Sequence, residues 1–256
     1  MTNTAHNKLA IDIQGIVKHF DSQLVLDDVH LQVREGETIV IIGCSGCGKS
    51  VLLKHMIGLL RPERGRILVH GTDIVPLTEN RLLDIRSQFG MLFQGSALFD
   101  SMSVWENVAF TLTEHGLMSR AEIDERVRYC LDLVGLSSAR DKNPSQLSGG
   151  MKKRVGLARA IAHQPKIILY DEPTTGLDPV TADTINDLII RARKKLAVTT
   201  VAVTHELYSA NKIGDRIAVM VKGKITATGT PEEIWESDNP MVRQFIGASD
   251  ASVFAR

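Results

Sequence analysis

Between an apolar run, Thr38–Ile42, and a helical pattern that begins at Lys49, the chain reads Gly43-Cys44-Ser45-Gly46-Cys47-Gly48-Lys49-Ser50. No other segment limits the possible folds as tightly. Its glycines let the backbone turn N–H groups inward, and the helix that follows adds positive potential at its first turn, so the segment can cradle phosphate. Every constrained position of G-x-x-x-x-G-K-[ST] is filled, in the strand–loop–helix setting that this motif requires. The reading assigns nucleotide contacts to the run from Gly43 to Val51, with Lys49 on the β- and γ-phosphates and the Ser50 hydroxyl on Mg²⁺.

The same loop spaces two of the chain's three cysteines as C-x-x-C, which raises the alternative of a thiol or metal site. Zinc normally takes four protein ligands, and only Cys130 remains to join the pair, so a histidine would also be needed. A redox pair is a closer competitor, because a helix N-terminus favours thiolate there too. Cys44 and Cys47 fall on the motif's free positions, and nucleotide binding is the preferred reading. It carries the expectation that both thiolates are favoured and accessible.

Composition removes other classes. Thirty basic and thirty acidic residues give no net charge, which argues against nucleic acid as the main ligand. With 43% apolar residues the chain can fill a substantial core, yet its longest apolar runs fall far short of the roughly 20 residues that cross a bilayer. The first residues, MTNTAHNKLAIDI, lack the basic start and apolar centre of a secretory signal. An odd, small cysteine count reads as a cytosolic chain without disulfides.

Short β-type runs at 9–13, 29–33 and 38–42 precede the loop, and a helix is expected over 49–60. From 96 to 162 the pattern is mainly helical, in three stretches with a serine or glycine near each start. Strand-like runs return only at 166–170, 198–204 and 217–221, alternating with helices. The expectation is an α/β core (1–95 and 163–240) interrupted by a helical insertion (96–162), with a tail (241–256) whose last few residues are mobile.

The run at 166–170 leads into Asp171 and Glu172. Beside a phosphate loop, Asp171 is placed to hold Mg²⁺ directly or through water, and Glu172 one step nearer the γ-phosphate. His205 ends another core strand, where α/β folds place ligands. Gln146-Leu147-Ser148-Gly149-Gly150-Met151 caps a helix, and its amides and the Ser148 hydroxyl form a second anion site.

With these segments in hand the chain resembles the ATP-binding cassette (ABC) family over nearly its whole length. Gln94 in MLFQGSALFD is similar to that family's Q-loop, Asp178 to its D-loop and His205 to its switch histidine. Phe20 stands where an aromatic stacks on adenine. The resemblance implies a RecA-like P-loop core with an antiparallel β subdomain and a helical subdomain. It also implies two copies arranged head to tail, each ATP–Mg²⁺ held between one copy's phosphate loop and the other's Ser148, Gly149 and Gly150. In that scheme Glu172 activates water, with Gln94 and His205 completing the catalytic set; Ser50, Asp171 and Gln94 serve the metal.

The segment FQGSALFDSMSVWENVAF and Met151 after LSGG are similar to the ATPase of phospholipid-trafficking (Mla-type) systems of Gram-negative bacteria. That implies an integral membrane permease, a substrate-binding MCE-domain protein and a STAS-domain protein as partners, no nucleic acid, and a place on the cytoplasmic face of the inner membrane. An amino-acid or metal importer, and an ABC ATPase outside transport, remain as alternatives.

Overall fold

The computed structural model describes residues 8–116 and 118–250. In chain order it begins with β1 (Leu9–Phe20), β2 (Gln23–Arg34), β3 (Thr38–Ile42), α1 (Lys49–Met56), β4 (Arg64–Val69), β5 (Thr72–Asp73) and α2 (Glu79–Arg86). Then come β6 (Phe89–Leu92), α3 (Val104–His115), α4 (Arg120–Leu133), α5 (Gly149–Ala162), β7 (Ile167–Asp171) and α6 (Pro179–Leu196). The remainder is β8 (Thr199–Thr204), α7 (Leu207–Ile213), β9 (Arg216–Val221), β10 (Lys224–Gly229), α8 (Pro231–Trp235) and α9 (Pro240–Asp250). Two compact units result: one from the described residues up to Arg86 and from Thr199 onward, the other Ser87–Val198.

In the first unit β3 pairs in parallel with both β8 and β9, and β10 runs antiparallel to β9. All five residues of β3 and all six of β8 are buried, which is why these strands read as continuous apolar runs rather than as alternation. A second, wholly antiparallel sheet has the order β2-β1-β4-β5. Its strands are longer than the sequence runs implied, because Leu9–Phe20 and Gln23–Arg34 carry polar residues on a half-exposed face. The expected antiparallel β subdomain is this sheet.

In the second unit β6 and β7 pair in parallel, Gly90 opposite Ile168. Helix α5 lies against β6 so closely that a Cβ on Gly90 would stand 2.1 Å from the carbonyl oxygen of Ala160. Each α-helix of this unit starts on a hydrogen-bonding side chain. Ser103 and Ser119 form capping boxes with Glu106 and Glu122, Ser148 accepts from Met151 N, and Asp178 accepts from Val180 N and Thr181 N ahead of Pro179. The three expected helical stretches are α3, α4 and α5, and the serines near their starts are the caps.

Four strands escaped the sequence reading, which has strands after the loop only at 166–170, 198–204 and 217–221. These are β4, β5, β6 and β10: β4 and β10 are rich in Arg, Lys, Thr and Gly, while β5 and β6 have only two and four residues. β4 and β6 pair with strands distant in sequence, β1 and β7, whereas β5 and β10 fold back on the strands just before them, Thr72 opposite Val69 and Lys224 opposite Val221. Helix α1 stops at Met56 rather than at 60, because Ile57 leaves the helical region and Gly58 turns the chain at φ 66°. The expectation of a mobile end falls on 251–256, outside the described residues.

Candidate nucleotide site

In the first unit β3 delivers the chain into the loop, and α1 begins at Lys49 with Gly48 as its N-cap at φ 107°. A Cβ there would meet the Val25 carbonyl at 2.9 Å, so both conformation and space call for glycine. The Lys49 side chain is buried, and its Nζ donates to the Gly43 carbonyl at 2.8 Å and to the Cys44 carbonyl at 3.2 Å. The ammonium is thus curled against its own loop. A cavity of about 620 Å³ is walled in part by Val25, Cys44, Ser45, Gly46 and Cys47. Phe20 is 42% exposed at the end of β1, its ring centroid 5.5 Å from the Lys18 ammonium. Ser50 and Val51 lie in the first turn of α1, and His205 is exposed immediately beyond β8.

One expectation fails here. Cys44 is exposed, but Cys47 is half-buried and burial pushes its thiol pKa up, outweighing the lowering by the nearby Lys49 charge. The Cys47 thiolate is disfavoured, because removing an anion from water costs more than one cation and a helix start return.

In the second unit β7 ends at Asp171, and Asp171 and Glu172 are both buried. Glu172 adopts φ 48°, a conformation costing a non-glycine residue about 1–3 kcal/mol. Its carboxylate Oε2 accepts from Thr175 Oγ1 at 3.0 Å. Gln94 is exposed two residues beyond β6, followed by Ser96 and Ala97 at φ 62° and 45°. Ser148 and Gly149 are exposed at the start of α5 and Gly150 is buried behind them, where a Cβ would meet Thr181 Cγ2 at 2.4 Å. Asp178, exposed, spends its carboxylate capping α6 and accepting from Thr181 Oγ1 at 2.6 Å, which holds its pKa below the usual carboxylate value.

Two cations of α5 were missed by sequence reasoning. Lys153 donates to the main-chain carbonyls of Gln94 and Glu172, and Arg159 to those of Ser96 and Ala97. The signal was present: Lys153 shares the i, i+3, i+4, i+7 stripe with Gly156, Leu157 and Ala160, so a lysine occupies an otherwise apolar face. Asn107, buried on α3, was also missed. It accepts from Phe99 N and donates to the carbonyls of Phe99, Met102 and Ser103, shaping the loop after Gln94.

A glycine loop between buried parallel strand and helix, with a strand elsewhere ending in paired carboxylates, defines the class of P-loop nucleoside triphosphatases. The family model described as ABC transporter matches residues 26–175, and the chain belongs to that family. It is an ATPase cassette. The "Probable ribonucleotide transport ATP-binding protein mkl" of Mycobacterium leprae is 44% identical over 93% of this chain and 69% of its own length. The "Methionine import ATP-binding protein MetN" of Geobacillus kaustophilus is 43% identical over 88% of this chain and 66% of its own length. The "Intermembrane phospholipid transport system ATP-binding protein MlaF" of Haemophilus influenzae is 39% identical over 96% of this chain and 94% of its own. Among solved structures, the dimeric post-hydrolysis state of the ATP-binding cassette MJ0796 bound to ADP and Pi superposes with TM-score 0.79 at 31% identity, covering 86% of this chain and 98% of that one. Among the described residues no helix is long and apolar enough to cross a membrane.

Proposed function

We propose that this cassette powers phospholipid trafficking between the inner and outer membranes of a Gram-negative bacterium. The similarity to the H. influenzae phospholipid-system ATPase, which runs through 96% of this chain and 94% of that protein, carries the reading. The FQGSALFDSMSVWENVAF segment supports it. Within that segment Phe99 is 41% exposed and packs against Phe110 in a tilted pair, 4.7 Å between ring centroids, over a loop pinned by Asn107. A firm apolar knob of this kind suits docking to a membrane permease. Methionine or other amino-acid import is the second reading, favoured by the 43% identity to the methionine-import relative.

In the proposed cycle two copies of the chain pair, as the dimeric MJ0796 cassette supports, and do so head to tail at the cytoplasmic face of the inner membrane on an Mla-type permease with MCE- and STAS-domain partners. Lys49 neutralises the β- and γ-phosphates, the loop amides from Gly43 to Val51 bind their oxygens, and Phe20 stacks on adenine. Ser148, Gly149 and Gly150 of one copy bind the γ-phosphate held by the other, with Asp178 alongside. Glu172 accepts the proton of the attacking water, while Gln94 and His205 orient it and the γ-phosphate. The hydroxyl of Ser50, the amide oxygen of Gln94 and the buried carboxylate of Asp171 are the hard oxygen donors that Mg²⁺ takes, and those residues would hold it. When bound, that ion neutralises phosphate charge.

Co-expression with an Mla-type permease, purification in detergent and reconstitution test the reading. The expected result is co-purification and ATP-dependent transfer of labelled phospholipid between membranes. Methionine uptake without lipid transfer, or a purely soluble partner set, would reject it.

A further inference from the structure

Lys153 is 5% exposed on the inner face of α5. Its Nζ donates to the Gln94 carbonyl at 2.5 Å and to the Glu172 carbonyl at 3.0 Å. Burying an ammonium is unfavourable unless its donors are engaged, and an apolar residue would fill the same stripe more cheaply. What an ammonium adds is geometry: N–H bonds diverging from one atom fix two otherwise unconnected main-chain carbonyls at one separation.

Both carbonyls belong to backbone that needs holding. Glu172 sits at φ 48°, and such conformations persist only where the surroundings over-determine them. Lys153 fixes its main chain while Thr175 Oγ1 fixes its carboxylate. Ser96 and Ala97, following Gln94, are also left-handed, and Arg159 of the same helix donates to their carbonyls at 2.7 Å each. Helix α5 therefore grips the Gln94 segment at three carbonyls and the Glu172 backbone at one.

We propose that Lys153 is a positioning residue for hydrolysis: it ties the backbone that aims the Glu172 carboxylate to the Gln94 segment, so that displacement of that segment re-aims the carboxylate. The proposal rests on Glu172 acting as the base that activates water.

The test measures turnover, single-turnover rate and nucleotide affinity of the full chain as Lys153→Met, Lys153→Arg, Glu172→Gln and Lys153→Met/Glu172→Gln. Lys153→Met should lower kcat about 10- to 100-fold, the scale of a small misalignment of a reacting group, with ATP affinity within about twofold of wild type. Lys153→Arg should restore part of the rate, since a guanidinium can reach both carbonyls. In the Glu172→Gln background, Lys153→Met should change the residual rate by less than about twofold, because both changes remove one function. An equal loss in both backgrounds, or a fall in ATP affinity with kcat unchanged, would overturn the positioning role. Should Lys153→Met not fold, Lys153→Gln, whose amide donates without charge, takes its place under the same criteria. Wild-type turnover in Glu172→Gln would reject the base and this proposal with it. Wild-type turnover in Lys153→Met beside an inactive Glu172→Gln would reject the positioning role alone.

Discussion

The ammonium of Lys49 donates to the carbonyl of Gly43, the first residue of its own phosphate loop, at 2.8 Å. The side chain is thereby held inside the loop whose phosphates it is proposed to neutralise. Lys49→Ala removes both that internal bond and the cation. ATP hydrolysis should fall by at least about 10²-fold, as when a preorganised charge-stabilising group is lost. Steady-state phosphate release from purified protein decides the matter; unchanged turnover would reject the role.

Glu172→Gln keeps the shape of the side chain and an oxygen that can accept from Thr175, while removing the proton acceptor. Hydrolysis should drop about 10²–10⁴-fold, the usual contribution of a general base. Binding of ATP with Mg²⁺ should persist and the closed dimer accumulate, visible as a doubled mass in light scattering with ATP. A fully active variant would move the base elsewhere.

Ser148 caps α5 within its own unit and is exposed at the helix start, as a group serving a partner copy must be. In mixed dimers, a Ser148→Arg subunit paired with a Lys49→Ala subunit should keep one undamaged composite site if the two groups act in trans. A cis arrangement leaves none. ATP-dependent cross-linking in verified heterodimers distinguishes the two.

The three cysteines should label in the order of their environments. Cys44 is exposed, Cys47 is half-buried with its thiol pKa raised by burial, and the buried Cys130 is pushed up to about 11. The thiolate is the reactive form, and for a raised pKa its fraction grows as pH climbs toward that value. Mass spectrometry after brief alkylation near neutral pH should therefore find Cys44 first and Cys130 last, with Cys47 gaining as pH rises. ATP–Mg²⁺ should slow labelling of the loop. Faster labelling of Cys47 than Cys44 would contradict the burial argument.

Asn107→Ala deletes one acceptor and three donor contacts to the backbone between Phe99 and Ser103. Leaving such buried groups unpaired costs about 1–3 kcal/mol. Chemical denaturation should show that loss, and hydrogen exchange should rise in the 99–103 loop before it rises in α3. If that loop is the permease-docking surface, permease-stimulated turnover should fall further than basal turnover.

The sequence by itself determined the phosphate loop, the caps at Ser103, Ser119 and Ser148 and the buried strands β3 and β8. These are local matters: glycine spacing, a serine before a helix and an unbroken apolar run constrain the backbone whatever surrounds it. Tertiary structure decided the rest. Strands β4 and β6 exist because distant partners, β1 and β7, satisfy their backbone, not because Arg and Gly favour extended chain. Whether Cys47 is a thiolate depended on how much water the fold removes from it, which no C-x-x-C spacing records. The left-handed turn at Glu172, and the reach of Lys153 to carbonyls on two separate segments, arise only when α5 has packed; hydrogen bonds between residues far apart in sequence leave no periodic trace to read.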